Sequence, residues 1–304
     1  MTLLELVERS ARALDKAGLV FGHGTQSAMD EAAWLVLWRL GLPIDTDLNS
    51  NASVAQQLID ADQVHAVEAL IRTRIERRLP AAYLTHEAWL QGVPFYVDER
   101  AIVPRSLIAE LLVDGSLDYW LHETTQHVLD VCTGNGSLAV LAAMVYPEVT
   151  VTASDLSTDA LAVAKINIER HQLQSRIELL SADGLDAAAL QARGPFDLIL
   201  CNPPYVNADS MAALPPEYLA EPSMALDGNT AGGRDGMDFV RALLRDAALH
   251  MTPQAVLVLE IGHERDHFEA AFPKLSAIWL DTSAGGNQVL LLRRDDLQTL
   301  NSPH

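Results

Sequence analysis

The chain has 304 residues, of which 49% are hydrophobic and 20% charged, so it can bury a sizeable core and a disordered chain is excluded. Lys and Arg number 21 against 41 Asp and Glu, a formal net charge of −20, which disfavours binding to nucleic-acid phosphates and favours basic partners. The two cysteines, Cys132 and Cys201, fit neither a disulfide framework nor a zinc motif.

Residues 1–80 have helical periodicity and predict a small bundle of helices. Apolar residues recur at helical spacing from Leu3 to Leu14, and further helices are expected at 29–40, after an N-cap at Ser53, and at 62–79. The last segment carries four arginines, Arg72, Arg74, Arg77 and Arg78. They are interpreted as a solvated helix face, with a guide for an acidic or RNA partner as the alternative. The acidic start of the chain is unlike a signal peptide, and no apolar run has membrane-spanning length, so a cytoplasmic protein is expected.

The segment 81–105 is rich in β-prone residues and predicts a hairpin that links the bundle to the rest of the chain. The β-prone positions extend from Tyr83 to Val103 and are interrupted by Gly92 and Pro94. A short helix is expected next, over 107–112.

Strand and helix patterns alternate beyond residue 126, which predicts an α/β fold with a parallel sheet and helices on both faces. The expected strands are 127–132, 149–155, 176–182, 196–201, 255–261, 277–281 and 288–293, and the expected helices are 137–146, 159–171 and 237–250. No long helix separates the last two strands, so an antiparallel pair is expected at one edge of the sheet. Cys132 and Cys201 end two of these strands, and their thiols would lie close together if the strands are neighbours.

The first strand of this region leads into a glycine-containing turn, Thr133-Gly134-Asn135-Gly136. The two glycines allow a tight turn and the close approach of a ligand to the backbone. Ala139 stands where the dinucleotide-binding fingerprint has its third glycine. The acidic Asp130 before the turn argues against a pyrophosphate and suits a cationic ligand such as a sulfonium amino acid.

Acidic residues end the next two strands as well. Asp155 can accept hydrogen bonds from both hydroxyls of a ribose, and Asp183 can accept from an adenine amino group. Each acid alone is also compatible with an ordinary turn at a strand end. Asp130, Asp155 and Asp183 in this order predict binding of S-adenosylmethionine, with a nicotinamide dinucleotide as the competing interpretation.

The sequence Asn202-Pro203-Pro204-Tyr205 follows the apolar run 196–201. The two prolines end the strand, and this places the motif at the carboxyl edge of the sheet, where open α/β sheets bind ligands. The side-chain oxygen of Asn202 and the carbonyl of Pro203 can accept both N–H groups of one planar NH2 group, and Tyr205 offers a flat wall. The alternative interpretation is a turn after a strand, with Tyr205 as a packing residue.

These residues resemble the protein glutamine N5-methyltransferases, a family of class I S-adenosylmethionine-dependent enzymes, over nearly the whole chain. The resemblance implies a class I methyltransferase, Rossmann-like fold with a seven-stranded mixed sheet, divided into a substrate-recognition bundle (1–80), a hairpin linker (81–105) and a methyltransferase domain (106–304). It implies a catalytic role for Asn202, Pro203 and Tyr205, which with Pro204, Phe95 and Arg105 would contact the substrate. The implied cofactor residues are Asp130, Thr133, Gly134, Gly136, Asp155, Asp183 and Asn202, and no metal is implied. For Phe95 and Arg105, ordinary hairpin packing and a surface charge are equally good interpretations.

Short motifs assign a branch within this family. Val103-Pro104-Arg105-Ser106 replaces the Ile-Pro-Arg-Pro of the branch that acts on release factors, and with Glu87-Ala88-Trp89 and Leu214-Pro215-Pro216-Glu217-Tyr218 it resembles the branch that acts on ribosomal protein L-three. Asn135, Ser137 and a longer loop at 227–236 depart from the family pattern. The loop's conformation is therefore not implied by the resemblance.

The resemblance implies methyl transfer to a glutamine of ribosomal protein L-three, with S-adenosylhomocysteine as the product. Release-factor methylation is the alternative, followed by an adenine-N6 or guanine-N2 nucleic-acid methyltransferase, which the net charge disfavours. A non-catalytic binder in ribosome assembly is a third interpretation. A basic protein partner is expected, with contact to ribosome-assembly intermediates and no membrane or DNA partner.

Overall fold

The computed structural model describes residues 1–300, which form two compact units. The first unit contains Met1–Ala88 and the separate segment Pro215–Glu221, and the second contains Trp89–Leu214 and the described chain from Pro222 on. The first unit thus extends past residue 80 and takes in a segment from within the region 106–304. No helix in the described part of the chain is long and apolar enough to cross a membrane.

The elements alternate along most of the chain. The helices are α1 (Leu3–Lys16), α2 (Ala28–Leu40), α3 (Ala61–Arg77), α4 (Ala81–Thr85), α5 (Ile108–Val113), α6 (Ser137–Val145), α7 (Thr158–Arg170), α8 (Ala187–Leu190), α9 (Ala208–Ala212), α10 (Pro216–Leu219), α11 (Asp238–Asp246), α12 (Arg265–Ala271) and α13 (Arg294–Leu300). The strands are β1 (Ala88–Leu90), β2 (Val93–Phe95), β3 (His127–Val131), β4 (Thr150–Asp155), β5 (Ile177–Ser181), β6 (Phe196–Cys201), β7 (Met251–Glu260), β8 (Ile278–Thr282) and β9 (Gly285–Arg293).

The helix expected after Ser53 was a wrong prediction, because the residues that follow form turns. Their backbone groups are used by the start of α1 instead. The amide of Leu3 donates to the carbonyl of Gln57, the amide of Leu4 donates to the carbonyl of Ala55, and Thr2 pairs with Leu58 in an isolated β-bridge. These carbonyls satisfy N–H groups at the start of α1 that have no acceptor within the helix itself.

Residues 81–85 are also helical, where a β-prone segment was expected. Pro80 precedes this turn of helix α4, and its carbonyl accepts from the amide of Tyr83. Proline favours a helix start because its φ is fixed near the helical value. The hairpin is therefore confined to β1 and β2, which form a two-stranded sheet.

The arginines of α3 do not form a uniform solvated face, because Arg74 is fully buried. Its guanidinium lies 2.7 Å from the carboxylate of Glu31 and 3.5 Å from that of Glu217. Arg78 approaches Glu217 at 2.8 Å. These residues form a buried ion cluster within the first unit. Charges at this depth are tolerated because each has an opposite charge beside it.

The second unit is built on a seven-stranded mixed sheet with the order β5-β4-β3-β6-β7-β9-β8. Strands β3 to β7 pair in parallel, and β9 pairs antiparallel with both β7 and β8. This confirms the predicted parallel sheet with an antiparallel pair at one edge. β3 and β6 are neighbours, with Val131 opposite Cys201, so the glycine turn and the Asn-Pro-Pro-Tyr motif leave the sheet side by side.

Both faces of the sheet are buried, as expected for parallel strands covered by helices. Alternate residues of β6 enter two different cores, with Leu198 and Leu200 on one side and Ile199 and Cys201 on the other. Helices α5 and α6 contribute to the first core, and α11 and α13 contribute to the second.

Strand β7 begins four residues before the expected start at Ala255, even though it contains Pro253. The ladder between β6 and β7 is irregular at this point, with a register shift between Phe196 and Leu198. Proline is tolerated there because a strand irregularity leaves a backbone position without a ladder partner.

Candidate active site

The turn between β3 and α6 is organised by the carboxylate of Asp130, which is fully buried. One carboxylate oxygen accepts from the hydroxyl of Thr133 at 2.5 Å and from the amide of Ala139 at 3.1 Å. Gly136 has a φ of +80°, and a Cβ at this position would lie 3.0 Å from the Cβ of Ala164 on α7. Only glycine combines this backbone conformation with so close an approach to the helix.

The second carboxylate oxygen of Asp130 is buried and has no hydrogen-bond partner among the described residues. Burial raises the pKa of Asp130 to about 7 against the lowering effect of its Thr133 and Ala139 hydrogen bonds. A buried acceptor without a partner is normally satisfied by a ligand or an ordered water. This carboxylate therefore fits a ligand that carries a donor group or a positive charge.

Asp155 lies at the end of β4 and is linked directly to the glycine turn. Its two carboxylate oxygens accept from the amides of Gly134 at 2.9 Å and Ser157 at 2.8 Å. Burial raises the pKa of Asp155, while these backbone bonds and one from Leu156 lower it. Each oxygen of a carboxylate has a second lone pair, so both can still accept a hydroxyl of a ribose.

Asp183 is less closely integrated than the other two acids. It is exposed and follows β5 by two residues. Since β4 and β5 pair with Asp155 opposite Ser181, Asp183 belongs to the same edge of the sheet as Asp155. Among the described residues, no hydrogen bond joins the Asp183 side chain to the glycine turn, so its contribution depends on a bound ligand.

The two cysteines lie beside this edge, and the expectation that their thiols are close is confirmed. The Cys132 thiol is hydrogen bonded to that of Cys201, and this bond together with burial raises the pKa of Cys132 well above its ordinary value. Both cysteines are free. A thiol with a raised pKa is a poor nucleophile, so the pair packs the strand ends and leaves the chemistry to the residues that follow.

The Asn-Pro-Pro-Tyr motif begins directly after β6. Pro203 and Pro204 are buried, whereas Asn202 and Tyr205 are half-buried. No hydrogen bond from the Asn202 side chain to another group within residues 1–300 is found. The prolines have no N–H group, so this strand end presents acceptors without competing backbone donors. Such an arrangement suits a ligand with an NH2 group.

The ring of Tyr205 packs against Gly262, which follows β7 by two residues. A Cβ at Gly262 would lie 2.7 to 2.9 Å from three atoms of the tyrosine side chain. The sequence prediction missed Gly262. Its only signal is a glycine directly after a buried strand, which is common in turns and says nothing about the distant tyrosine.

The two linker residues expected at the substrate site have different surroundings. Phe95 is fully buried in the hydrophobic core, with its ring 5.4 Å from that of His171, which favours the packing interpretation. The guanidinium of Arg105 donates to the carbonyl of Val103 at 3.2 Å. The positive charge of Arg105 also acts on the carboxylate of Glu260, at the end of β7.

Two buried polar residues, Glu260 and Asn167, form hydrogen bonds to backbone segments around the site. The sequence prediction missed both. Glu260 accepts from the hydroxyl of Ser106 at 2.6 Å and from the amide of Leu107 at 2.9 Å, and burial raises its pKa to about 7. Asn167 on α7 donates to the carbonyl of Asn135 in the glycine turn at 2.8 Å. A lone Asn in a helix pattern and a Glu at a strand end carry no sequence signal for these contacts.

Comparison with known proteins gives consistent matches. Residues 110–226 match the model of the methyltransferase small domain family. A ribosomal protein uL3 glutamine methyltransferase of Bordetella pertussis is 48% identical over 98% of this chain and 97% of that protein. Proteins of the same name from Burkholderia pseudomallei and Neisseria gonorrhoeae are 48% and 45% identical, each over 97% of this chain and 95% of the relative.

Among solved structures, the hMettl16 catalytic domain in complex with a 3′UTR hairpin of MAT2A superposes with a TM-score of 0.50 at 13% sequence identity. The superposition covers 76% of this chain and 81% of that chain. At this identity the likeness shows the fold alone. It supports the class I methyltransferase architecture of the sheet described above.

Proposed function

This chain belongs to the family of ribosomal protein uL3 glutamine methyltransferases, and we propose that it transfers a methyl group from S-adenosylmethionine to the side-chain amide nitrogen of one glutamine in uL3, the ribosomal protein L-three. The observation that carries the proposal is the pairing of β3 with β6, with Val131 opposite Cys201. Through it, the glycine turn and the Asn-Pro-Pro-Tyr motif share one edge of the sheet, in a chain 48% identical to a uL3 glutamine methyltransferase.

The residues around the glycine turn are suited to the cofactor. Asp130 offers a buried carboxylate with an unpartnered oxygen to the positively charged amino-acid part, and Thr133, Gly134 and Gly136 shape the turn. Asp155 would accept from the ribose hydroxyls and Asp183 from the adenine amino group. When bound, S-adenosylmethionine supplies an electrophilic methyl group on its sulfonium centre.

Asn202 would orient the glutamine amide of the substrate. The lone pair of an amide nitrogen is delocalised, so this group is a poor nucleophile. The side-chain oxygen of Asn202 and the carbonyl of Pro203 would accept its two N–H bonds, which fixes the nitrogen in position and stabilises the positive charge that develops during attack. Tyr205, packed on Gly262, would cover the amide plane. No strong base is needed before the attack, because the nitrogen becomes acidic as it is alkylated.

The charge of the protein favours the proposed substrate over nucleic acid. A formal charge of −20 attracts a basic ribosomal protein and speeds its encounter with the enzyme at low salt. The same charge repels phosphates, which disfavours RNA or DNA as the methyl acceptor.

The direct test is methyl transfer from labelled S-adenosylmethionine to purified uL3 and, in parallel, to a release factor, with the labelled residue located by mass spectrometry. We expect methylated glutamine in uL3 alone. Label in the release factor alone would overturn the substrate, and label in co-purifying nucleic acid would overturn the reaction.

The variant Asn202→Ala tests the assigned role in the same assay. Loss of one positioned hydrogen-bond acceptor should lower kcat about 100-fold to 1,000-fold, while the affinity for S-adenosylmethionine stays within about threefold. Gln174→Ala removes an exposed side-chain amide elsewhere in the same unit and should leave kcat unchanged. An Asn202→Ala variant with normal turnover would contradict the mechanism.

A further inference from the structure

The loop 227–236 packs directly on the backbone that follows Tyr205. Val206 forms an isolated parallel β-bridge with Asp227. The amide of Val206 donates to the carbonyl of Leu226 at 2.9 Å, and the amide of Gly228 donates to the carbonyl of Val206 at 3.1 Å. The peptide next to the proposed acceptor motif is thus held by a segment more than twenty residues further along the chain.

The side chain of Asn229 extends this contact. Its amide NH2 group donates to the carbonyl of Val206 at 3.2 Å and to the carboxylate of Asp227 at 2.7 Å. Its side-chain oxygen accepts from the amide of Gly236 at 2.9 Å. One planar side chain therefore ties the turn after Tyr205 to both ends of the loop.

The loop packs so closely on this turn that side chains are excluded from it. A Cβ at Gly236 would overlap the carbonyl oxygen of Tyr205 and lie 3.0 Å from the amide of Asn207. A Cβ at Gly228 would overlap the carbonyl of Gly236. Close packing of three backbone segments leaves little freedom for the turn to move.

The residues after β7 hold the same turn through other contacts. Gly262 contacts the ring of Tyr205, and the carboxylate of Glu264, which is buried, accepts from the side-chain amide of Asn207 at 2.7 Å. The motif and the turn after it are therefore held at three points: the ring of Tyr205, the carbonyl of Val206 and the side chain of Asn207.

We propose that Asn229 is a positioning residue for methyl transfer, acting through the Val206 carbonyl to hold Asn202 and Tyr205 in the geometry that orients the substrate amide. The inference rests on the proposed function, because it assigns the loop 227–236 to the same acceptor site. Small displacements of a reacting group lower kcat strongly without weakening cofactor binding. A residue that acts in this way should change kcat more than it changes either affinity.

The first measurement uses no substrate. Hydrogen exchange followed by mass spectrometry should show faster exchange in the peptide that contains Val206 and Asn207 for Asn229→Ala than for the unaltered protein. Exchange in the glycine turn 133–136 should be unchanged. Because this readout needs neither uL3 nor S-adenosylmethionine, equal exchange around Val206 would overturn the inference whatever the substrate is.

The second measurement is steady-state kinetics with uL3. Asn229→Ala should lower kcat at least about tenfold, with the KM for uL3 and the Kd for S-adenosylmethionine within about twofold. Asn229→Asp keeps the oxygen that accepts from Gly236 but loses the donor to Val206, so it should not restore kcat. Thr230→Ala, at the exposed neighbouring position, is the matched control and should behave like the unaltered protein.

The outcomes separate this inference from the proposed function. If the unaltered protein does not methylate uL3, the proposed function fails, and the exchange measurement still decides the role of Asn229. If the unaltered protein is active and Asn229→Ala retains full kcat, the inference fails alone. A parallel fall in kcat, both affinities and Tm would show that Asn229 only stabilises the fold, which also overturns the proposal.

Discussion

Replacement of Arg74 by Met should destabilise the protein strongly, although the long apolar part of the side chain is retained. Arg74 is fully buried, and the carboxylates of Glu31 and Glu217 beside it are at most 2% exposed. Removing one partner from a buried ion pair leaves an uncompensated charge, which costs about 3–5 kcal/mol. Glu217 retains Arg78 at 2.8 Å, so most of the cost should fall on Glu31.

The cost should appear in thermal unfolding followed by circular dichroism or calorimetry. A loss of about 4 kcal/mol lowers Tm by about 6 °C if the whole chain unfolds cooperatively, and by about 20 °C if the first unit unfolds alone. Arg72→Met, at an exposed position on the same helix, should shift Tm by no more than about 2 °C.

The pH dependence of the stability loss tests whether the unpaired charge of Glu31 causes it. Burial already raises the pKa of Glu31, with Arg74 as the largest lowering influence, so the variant should raise it further. A carboxyl whose folded-state pKa is raised binds a proton on folding, and its stability penalty is therefore absent below the unfolded pKa and fully present above the folded one. The deficit of Arg74→Met should therefore shrink as the pH is lowered, by about 1.4 kcal/mol per pH unit for each carboxyl that takes up a proton on folding.

The double variant Glu31→Met, Arg74→Met should recover much of the loss, because apolar side chains can replace a buried ion pair at little cost. A deficit that is independent of pH, or two single losses that simply add in the double variant, would refute the reasoning. In either case the contribution of Arg74 would come from packing alone.

Three further predictions concern the cofactor edge of the sheet. Asp155→Ala should weaken S-adenosylmethionine binding at least about tenfold, since hydrogen bonds to a charged group contribute about 1.5–3 kcal/mol each; normal affinity in a calorimetric titration would contradict its role. The pKa of Asp130 is raised to about 7, so its ionised form is lost below that pH. The affinity for S-adenosylmethionine should therefore fall several-fold between about pH 8 and pH 6 in the unaltered protein. It should not do so in Asp130→Asn. Gly136→Ala should lose about 1–3 kcal/mol of stability through backbone strain and overlap with Ala164. The control is Gly232→Ala, where the φ of +89° causes the same backbone strain but no neighbour lies within 4 Å. In unfolding experiments Gly136→Ala should lose more stability than this control.

Agreement between sequence and structure is best where the signal is local. Strand β6 has the expected bounds, Phe196–Cys201, because an apolar run between a Gly-Pro breaker and two prolines defines its own ends. The helix expected after Ser53 fails for the opposite reason. The backbone of this segment is hydrogen bonded to the start of α1, about fifty residues earlier in the chain. The periodicity of the segment itself does not indicate that partner.

The amino-acid sequence by itself determined the α/β sheet, the glycine turn, the acids at the strand ends and the proline-terminated acceptor motif. Each of these depends on periodicity, or on the backbone chemistry of glycine and proline, over fewer than about ten residues. Only the tertiary structure decided three contacts. Arg74 is buried between two carboxylates, Gly262 packs against the ring of Tyr205, and Asn229 is hydrogen bonded to the turn that follows Tyr205. Those roles depend on partners far apart in the chain, and it is the order of the strands and the closure of the loops that bring the partners into contact.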